Sequence, residues 1–152
     1  DHLGGGITHR LNKHDATMIK ENDLAVAGES GMQAIVQLLS TMDVANCGAF
    51  LELEVTNEKD AIVAASTWKQ RQESESLPQL VLMLDNFGPE RSKEMVGELT
   101  DMGLRDAVVL EASGNIVFDD LEAWRECGVD VLSTSAINRG TTPLDISMLI
   151  DQ

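Results

Sequence analysis

Short apolar runs alternate with helical patterns along this chain, and three of the junctions follow one order. In each, a helical pattern ends at a glycine, and an apolar run that ends in polar residues comes next. The glycines are Gly48, Gly103 and Gly128, which lie 55 and 25 residues apart. Glycine just past a helix end is the usual left-handed cap. The shorter step suits one βα unit and the longer step suits two, so we predict that a strand follows each glycine.

Two further apolar runs complete a series of five predicted strands. "LPQLVLMLDNF" lies between the first two glycines, and "DATMIKEN" lies near the start of the chain. The intervening residues show the 3.6-residue period of amphipathic helices. The apolar positions with this period are Met32, Ile35, Val36, Leu39 and Met42; Met95, Val96, Leu99 and Met102 after Pro89; and Leu121 and Trp124 in "FDDLEAWRECG". A last short helix is predicted in "TPLDISMLI".

Strands that alternate with helices predict a parallel sheet, and mostly continuous apolar strands indicate that both of its faces are covered. The run "LELEV" is an exception, because Glu52 and Glu54 share one face while Leu51, Leu53 and Val55 share the other. Two interpretations fit this alternation. The run is either an exposed edge strand or a barrel strand whose carboxylates serve the mouth of the barrel.

Polar residues follow one predicted strand after another, at the point where each strand ends. In chain order they are Lys20, Glu54, Asp85, Glu111 with Ser113, and the residues from Ser133 to Ser135. The carboxyl ends of parallel strands lie at one edge of a sheet or barrel, where substrates bind in α/β folds. The sequence therefore predicts a binding site at this edge.

The segment before the first strand, "GGGITHR", supplies groups suited to an anion. Gly4, Gly5 and Gly6 allow backbone amides to approach an anion closely, although a flexible turn explains them equally well. His9 and Arg10 offer hydrogen-bond donors to a carboxylate. At the end of the first strand, Lys20 could be a point charge, an ion-paired residue or a Schiff-base nucleophile.

Glu54 and Asp85 form a candidate carboxylate pair on neighbouring strands. Such a pair could hold Mg²⁺ beside a phosphate or stabilise positive charge that develops on a sugar. Alternatively, the two carboxylates neutralise Lys20 and Arg10.

Two strand-to-helix turns are candidate phosphate sites because their backbone amides could face an anion. They are Ser113, Gly114 and Asn115 in "EASGN", and Thr134, Ser135 and Ala136 in "STSAINRG", with Arg139 as a counter-charge. Together with the cations, these turns predict a site for a doubly charged acid and a phosphorylated sugar.

The composition of the chain excludes some classes of function. The chain has 152 residues, enough for one domain, and its 26 acidic and 11 basic residues give a net charge of −15. This charge excludes a generic nucleic-acid coat and predicts an acidic surface of the kind adapted to high salt. The apolar runs are too short for a membrane span, so we expect no membrane contact.

Cys47 and Cys127 fit buried free thiols of a cytoplasmic protein. The missing initial Met suggests a piece of a longer chain.

Five motifs in order resemble the quinolinate phosphoribosyltransferase family across nearly the whole chain. They are "GGGITHRLNKHDATMIKEND", "LELEV", "LMLDNF", "LEASGNI" and "GVDVLSTSA…PLDIS". The resemblance implies an α/β fold, an incomplete seven-stranded TIM-like barrel of parallel strands. It further implies transfer of a phosphoribosyl group from 5-phosphoribosyl-1-pyrophosphate to quinolinate with Mg²⁺, releasing CO₂ and pyrophosphate and giving nicotinate mononucleotide for NAD biosynthesis. Residues 1–152 would be the C-terminal catalytic domain, without the N-terminal sandwich that caps the partner's active site in a homodimer.

The resemblance also implies roles for individual residues. It assigns His9, Arg10 and Lys20 to the carboxylates of quinolinate. It assigns Glu54 and Asp85 to the ribose, pyrophosphate and Mg²⁺, with Lys20, Glu54 and Asp85 as the catalytic set. It assigns to the 5′-phosphate the turn residues Ser113, Gly114, Asn115, Thr134, Ser135 and Ala136, joined by Arg139.

Three features depart from the family pattern. Ser135 stands where the family usually has glycine, and Arg139 stands where it has histidine. An insertion-like "KQRQESESLPQ" lengthens the link between Glu54 and Asp85. The family's basic "TRKT" segment would lie upstream, so we expect the 152-residue chain alone to be inactive. The alternatives are a related protein associated with molybdate transport, an aldolase that uses Lys20, and a non-catalytic barrel that binds a phosphorylated metabolite.

Overall fold

The computed structural model describes residues 5–26 and 31–139, which form a parallel sheet flanked by helices. The predicted helix in "TPLDISMLI" and the glycine at position 4 lie outside the described residues. The strands are β1 Thr17–Ile19, β2 Leu51–Val55, β3 Leu80–Asp85, β4 Val108–Ser113 and β5 Val131–Leu132. The helices are α1 Glu21–Val26, α2 Met32–Thr41, α3 Glu58–Gln72, α4 Gly88–Asp101, α5 Leu121–Trp124 and α6 Ala136–Arg139, with 3₁₀ turns at Val44–Asn46, Arg105–Ala107 and Phe118–Asp120.

The five strands are all parallel and lie in the sheet in the order in which they occur in the chain. This confirms the predicted α/β class and all five predicted strands. Strand β2 lies between β1 and β3, and the side chain of Glu52 is buried. The interpretation of "LELEV" as an exposed edge strand is therefore wrong, because β2 has a hydrogen-bonded neighbour on each side.

One face of the sheet is a continuous apolar surface. Its residues in the three central strands are Leu51, Leu53, Val55, Leu80, Leu82, Leu84, Val108, Leu110 and Ala112, each at most 2% exposed. They form the core with inward-facing residues of the helices, among them Ile35 and Leu39 of α2 and Met95 and Leu99 of α4. Eight of the nine strand residues are Leu or Val, and at roughly 1.5–3 kcal/mol each for full burial they dominate the stabilisation of this layer.

Helix α3 lies within the stretch between β2 and β3, where no helix was predicted, and it extends into the start of "KQRQESESLPQ". Its buried face is Ala61, Ala64, Ala65 and Trp68, at the spacing of one helical stripe. Alanine is only weakly apolar, so this stripe gives little hydrophobic contrast in the sequence. Asn57 begins the helix because its side chain accepts a hydrogen bond from the amide of Asp60.

The other helix predictions are partly confirmed. In α2, Ile35 and Leu39 are buried, but Met32 and Val36 are 47% and 43% exposed because the buried stripe passes through Ala34 instead. In α4, Pro89 lies in the first turn as predicted, whereas Met102 follows the last turn and is 52% exposed.

The buried thiols and the left-handed conformation of the three junction glycines are confirmed, but only Gly103 directly follows the cap of an α-helix, and the helix in "FDDLEAWRECG" is shorter than predicted. It comprises a 3₁₀ turn and the single turn of α5. The three glycines at the junctions, Gly48, Gly103 and Gly128, have φ values of 80°, 68° and 84°. Cys47 and Cys127 are buried and free.

The second face of the sheet carries the polar side chains. Side chains alternate along a strand, so the pairing of Met18 with Glu52 and of Met83 with Glu111 fixes which residues share this face. They include Met18, Glu52, Glu54, Met83, Asp85, Glu111 and Ser113. Within residues 5–26 and 31–139 the sheet does not close on itself, in agreement with an incomplete barrel. No helix among these residues is both long and apolar enough to span a bilayer.

Candidate active site

Strand register brings the predicted strand-end residues to one edge of the polar face. Glu54 pairs with Met83, and Asp85 pairs with Ser113. Glu54 therefore lies two residues below the level of Asp85 on the neighbouring strand, with its side chain on the same face. Lys20 follows directly after β1 and forms an ion pair with Glu54.

A cleft of about 1310 Å³ lies over this edge. It is lined by the segment before β1 and by the loops that follow β4 and β5. Nine of the predicted site residues line it: His9, Arg10, Ser113, Gly114, Asn115, Thr134, Ser135, Ala136 and Arg139. Gly5 and Gly6 line it too, whereas Lys20, Glu54 and Asp85 are absent from its lining. The cleft thus joins the predicted acid-binding cations to both predicted phosphate turns.

The turn after β4 is held in shape by the end of β3. Gly114 has φ of 98°, and a Cβ added there would lie 2.8 Å from the backbone nitrogen of Asn86. Asn86 donates its backbone N–H to the carbonyl of Ser113 at 2.9 Å and accepts a hydrogen bond from the side-chain amide of Asn115 at 3.0 Å. Position 114 therefore requires glycine, both for its backbone angle and for this close approach.

The turn after β5 is held by the hydroxyl of Thr134. This hydroxyl donates to the carbonyl of Ile116 and accepts from the amide of Ala136 at 3.0 Å. Both bonds shape the turn, so the hydroxyl of Thr134 acts on the backbone of the chain. Ser135 and Arg139 are exposed beside it and line the cleft.

Lys20 and Glu54 form an ion pair, which agrees with the interpretation that Glu54 neutralises Lys20. The backbone N–H of Lys20 donates to the carboxylate of Asp23 at 2.8 Å, which fixes the start of α1. Arg10 hydrogen-bonds to the carbonyl of Ala16 at 3.2 Å and to the sulfur of Met18, so its described hydrogen bonds do not go to Glu54 or Asp85.

Asp85 remains available to a ligand on the polar face. Its side chain accepts a hydrogen bond from the side-chain amide of Asn86 at 2.7 Å. It is half-buried, as expected for a group at the end of a strand.

Sequence analysis missed a buried cluster of His9, Glu52 and Glu111. The Nε2 atom of His9 lies 3.2 Å from an oxygen of Glu52 and 3.3 Å from an oxygen of Glu111. The His9 ring packs edge-on against Phe50, with ring centres 5.5 Å apart. The available signal was a glutamate in the middle of each of two otherwise apolar strands, since a buried strand rarely carries an unpaired charge.

Burial and the nearby carboxylate of Glu111 together raise the pKa of Glu52 to about 7, against opposing effects of His9 and Arg10. Two carboxyl groups that close together in a buried site are costly to ionise at once.

The open parallel α/β sheet, with cationic side chains and a glycine-containing turn at the carboxyl edge of its strands, is an arrangement typical of α/β barrel proteins. Residues 2–149 match the family model described as "Quinolinate phosphoribosyl transferase, C-terminal domain". The chain belongs to this family.

Sequence relatives and solved structures agree with the family match. The chain is 33% identical over 150 residues to the probable nicotinate-nucleotide pyrophosphorylase [carboxylating] of Methanothermobacter thermautotrophicus, covering 97% of this chain and 48% of that protein. It is 34% identical over 150 residues to the protein of the same name from Archaeoglobus fulgidus, covering 99% of this chain and 52% of that protein. The chain thus spans about half the length of these relatives.

Among solved structures, the nicotinate-nucleotide pyrophosphorylase from Francisella tularensis superposes with a TM-score of 0.63 at 30% identity, over 90% of this chain and 41% of that one. NadC from Streptococcus pyogenes superposes with a TM-score of 0.67 at 27% identity, over 91% of this chain and 42% of that one. The structural match supports the barrel fold expected of the family.

Proposed function

We propose that this chain is the catalytic barrel domain of an enzyme that transfers the phosphoribosyl group of 5-phosphoribosyl-1-pyrophosphate to quinolinate. The products are nicotinate mononucleotide, CO₂ and pyrophosphate, and the reaction belongs to NAD biosynthesis. Residues 1–152 would form the C-terminal domain of a two-domain protein. The names of the relatives and the family match support this proposal.

One observation carries the proposal: a single cleft has a cationic end and two turns suited to phosphate. His9 and Arg10 lie in the segment before β1, while Gly114 and Arg139 lie in the loops after β4 and β5. A cleft with both features suits a dicarboxylic acid placed beside a phosphorylated sugar, and holding two reactants in one cleft lowers the entropic part of the barrier.

The chemistry follows from the charges around the sugar. The bond from ribose C1 to pyrophosphate breaks, positive charge builds on the sugar, and the ring nitrogen of quinolinate forms the new bond to C1. Glu54 and Asp85 would stabilise the positive charge, and pyrophosphate leaves with the bonding electrons. The newly charged ring then stabilises the electron pair left on its carbon when CO₂ is lost, and that carbon takes up a proton from solvent.

The same two carboxylates fit Mg²⁺. Glu54 and Asp85 share a face on neighbouring strands, and Mg²⁺ commonly binds through one or two carboxylates together with substrate phosphates. Mg²⁺ would have to displace the ammonium of Lys20 from Glu54. That ammonium would then be available to a carboxylate of quinolinate. When bound, Mg²⁺ neutralises the pyrophosphate that leaves.

The ion pair of Lys20 disfavours the aldolase alternative. A Schiff-base lysine must have its amine free to attack a carbonyl, whereas the side chain of Lys20 is bound to Glu54. Lys20 would instead serve as a point charge for a substrate carboxylate.

The direct test is a pyrophosphate-release assay on the natural full-length protein with quinolinate or nicotinate as acceptor, in high salt. We expect release that depends on quinolinate and is lost when Lys20 is changed to Ala. Arg125→Gln is the matched control, because Arg125 is an exposed cation that does not line the cleft. Turnover of nicotinate alone would contradict the substrate assignment. A borohydride-trapped adduct on Lys20 would favour the aldolase, and saturable phosphoribosyl binding without turnover would favour a binding protein.

The proposal extends to assembly and location. The enzyme would be a homodimer in which a sandwich domain from one subunit caps the barrel of its partner, so the 152-residue chain alone should show almost no activity. We propose a cytoplasmic location, while the relative from rice carries the name chloroplastic.

A further inference from the structure

The cluster of His9, Glu52 and Glu111 has polar atoms that nothing described in the structure satisfies. The side chains of Glu52 and Glu111 are 0% and 3% exposed. Both oxygens of Glu52, one oxygen of Glu111 and Nε2 of His9 are buried without a hydrogen-bond partner among the described residues. A buried carboxylate without a partner is strongly unfavourable, so this arrangement calls for a ligand.

The geometry of the three side chains indicates what that ligand is. With bonds of about 2.1 Å, neighbouring ligand atoms lie about 3.0 Å apart in an octahedral metal site and about 3.4 Å apart in a tetrahedral one. The observed separations from Nε2, 3.2 Å to Glu52 and 3.3 Å to Glu111, fall between these values. One ligand atom from each of the three residues lies within 4.8 Å of the others.

The position of the carboxylate oxygens relative to Nε2 also distinguishes metal coordination from a simple hydrogen bond. Neither carboxylate oxygen lies where it could accept a well-directed hydrogen bond from Nε2, although both lie close to it. A metal on the Nε2 lone-pair axis would place its carboxylate ligands to the side of that axis, roughly 40° away for bonds of about 2.1 Å. Arg10 does not fill the gap, since its described hydrogen bonds go to Ala16 and Met18.

We propose that His9, Glu52 and Glu111 bind a divalent transition-metal ion of the Zn²⁺, Mn²⁺ or Fe²⁺ class. A neutral imidazole with two carboxylates is a nitrogen and oxygen ligand set that these ions accept, and the two negative charges balance the ion. The site does not depend on the proposed reaction.

This metal position differs from the Mg²⁺ position proposed at Glu54 and Asp85. Glu52 lies two residues deeper in β2 than Glu54, and Glu111 pairs with Met83 rather than with Asp85. His9 and Glu111 line the cleft, so the open coordination positions would face the end of the cleft that carries the cations. The ion would add positive charge at the place proposed for the dicarboxylic acid.

Metal titration of the chelator-treated, full-length protein at pH 8 tests the proposal. We expect one equivalent of Zn²⁺ to bind by calorimetry, and Mn²⁺ at the same site to show nitrogen modulation from an imidazole ligand in pulsed electron paramagnetic resonance. Loss of an outer-shell partner weakens metal binding by about 10–100-fold, so Glu52→Gln and Glu111→Gln should weaken it by at least that factor.

Two matched controls make the outcome specific. Glu54→Gln removes a carboxylate from the same strand, and Glu94→Gln removes one from the exposed surface of α4, so both should keep the Zn²⁺ site. If Glu52→Gln does not fold, Glu111→Asp, which shortens one ligand, supplies the comparison.

Three results would overturn the metal site. They are the absence of stoichiometric binding, the absence of nitrogen modulation, and equal weakening by Glu52→Gln and Glu54→Gln. A lysine or arginine found between the two carboxylates in a structure of the full-length protein would also overturn it.

Discussion

At the scale of single residues, the polar face of the sheet carries ionisable side chains that are largely buried. Glu52 is fully buried, whereas Glu54, two residues later in the same strand, is partly exposed and paired with Lys20. The strand thus holds one carboxylate that is costly to ionise and one that is stabilised as an anion. Alternation in "LELEV" predicted that they share a face, but no local pattern distinguishes their depth.

The raised pKa of Glu52 predicts a pH dependence of stability in the metal-free protein. The unfolded carboxyl ionises near pH 4.5, while the folded one stays protonated to about pH 7. The folded state therefore binds more protons in this window, and the free energy of unfolding falls as pH rises from 4.5 to 7, by at most about 1.4 kcal/mol per pH unit.

Glu52→Gln should remove that contribution, so the variant gains stability relative to the parent as pH rises through this window. Urea denaturation with a chelator present, at several pH values, measures the difference. Glu94→Gln removes an equal charge from an exposed helix position and should track the parent. Parallel curves for Glu52→Gln and the parent would contradict the prediction.

At the scale of elements, α3 shows why some of the fold is hard to predict from sequence. The strands were predicted well because their apolar runs are dense, but the expectation that both faces are covered was wrong, since the second face carries polar side chains and the cleft. Helix α3 was missed because three of its four buried residues are alanine. Its side chains pack well in the structure, but alanine and polar residues differ little in a pattern of hydrophobicity.

The site, too, has a part that could be predicted from the sequence and a part that could not. Motif and strand-end position placed nine residues around one cleft, because the carboxyl ends of parallel strands must meet. The cluster around His9 was not predictable, because it needs Glu52, Glu111 and a loop residue to meet across three segments separated by more than 40 residues of chain. Only the register of the sheet makes them neighbours.

Trp68 is the anchor of α3, and its removal should destabilise the fold strongly. It is fully buried, and its indole N–H donates to the carbonyl of Pro78 at 2.8 Å. Trp68→Ala should lower the free energy of unfolding by about 3–5 kcal/mol, because it leaves a cavity and removes this hydrogen bond. Chemical denaturation measures the loss.

Trp68→Phe provides the comparison. It keeps an aromatic ring in the core and loses the N–H, whose net contribution is about 0.5–1.5 kcal/mol. We therefore expect the Phe variant to retain much more stability than the Ala variant. An Ala variant within 1 kcal/mol of the parent would show that α3 is not anchored by Trp68 (a threshold of about this size exceeds the error of such measurements).

At the scale of the whole molecule, net charge sets the conditions under which the fold is stable. The chain carries 15 more acidic than basic charges, so like charges repel across a surface of small size. Raising the salt concentration from about 0.1 M to about 1 M shortens the screening length from about 10 Å to about 3 Å. We therefore expect the unfolding midpoint to rise over this range.

The measurement is thermal unfolding at fixed pH in a series of NaCl concentrations, repeated with KCl to separate screening from sodium binding. A midpoint that does not change with salt would contradict the proposal of a high-salt surface. The ion pair of Arg91 with Glu58 is exposed enough that its loss on screening should be minor.

Strand order, finally, has a consequence for how the protein is made. Each strand pairs only with the strands before and after it in the sequence, so no strand waits for a later one to be inserted between two earlier strands. A nascent chain that leaves the ribosome can therefore add one βα unit at a time to the sheet already formed. Each pairing nevertheless joins residues 20 to 34 positions apart in the chain, and non-local pairing of this kind slows folding.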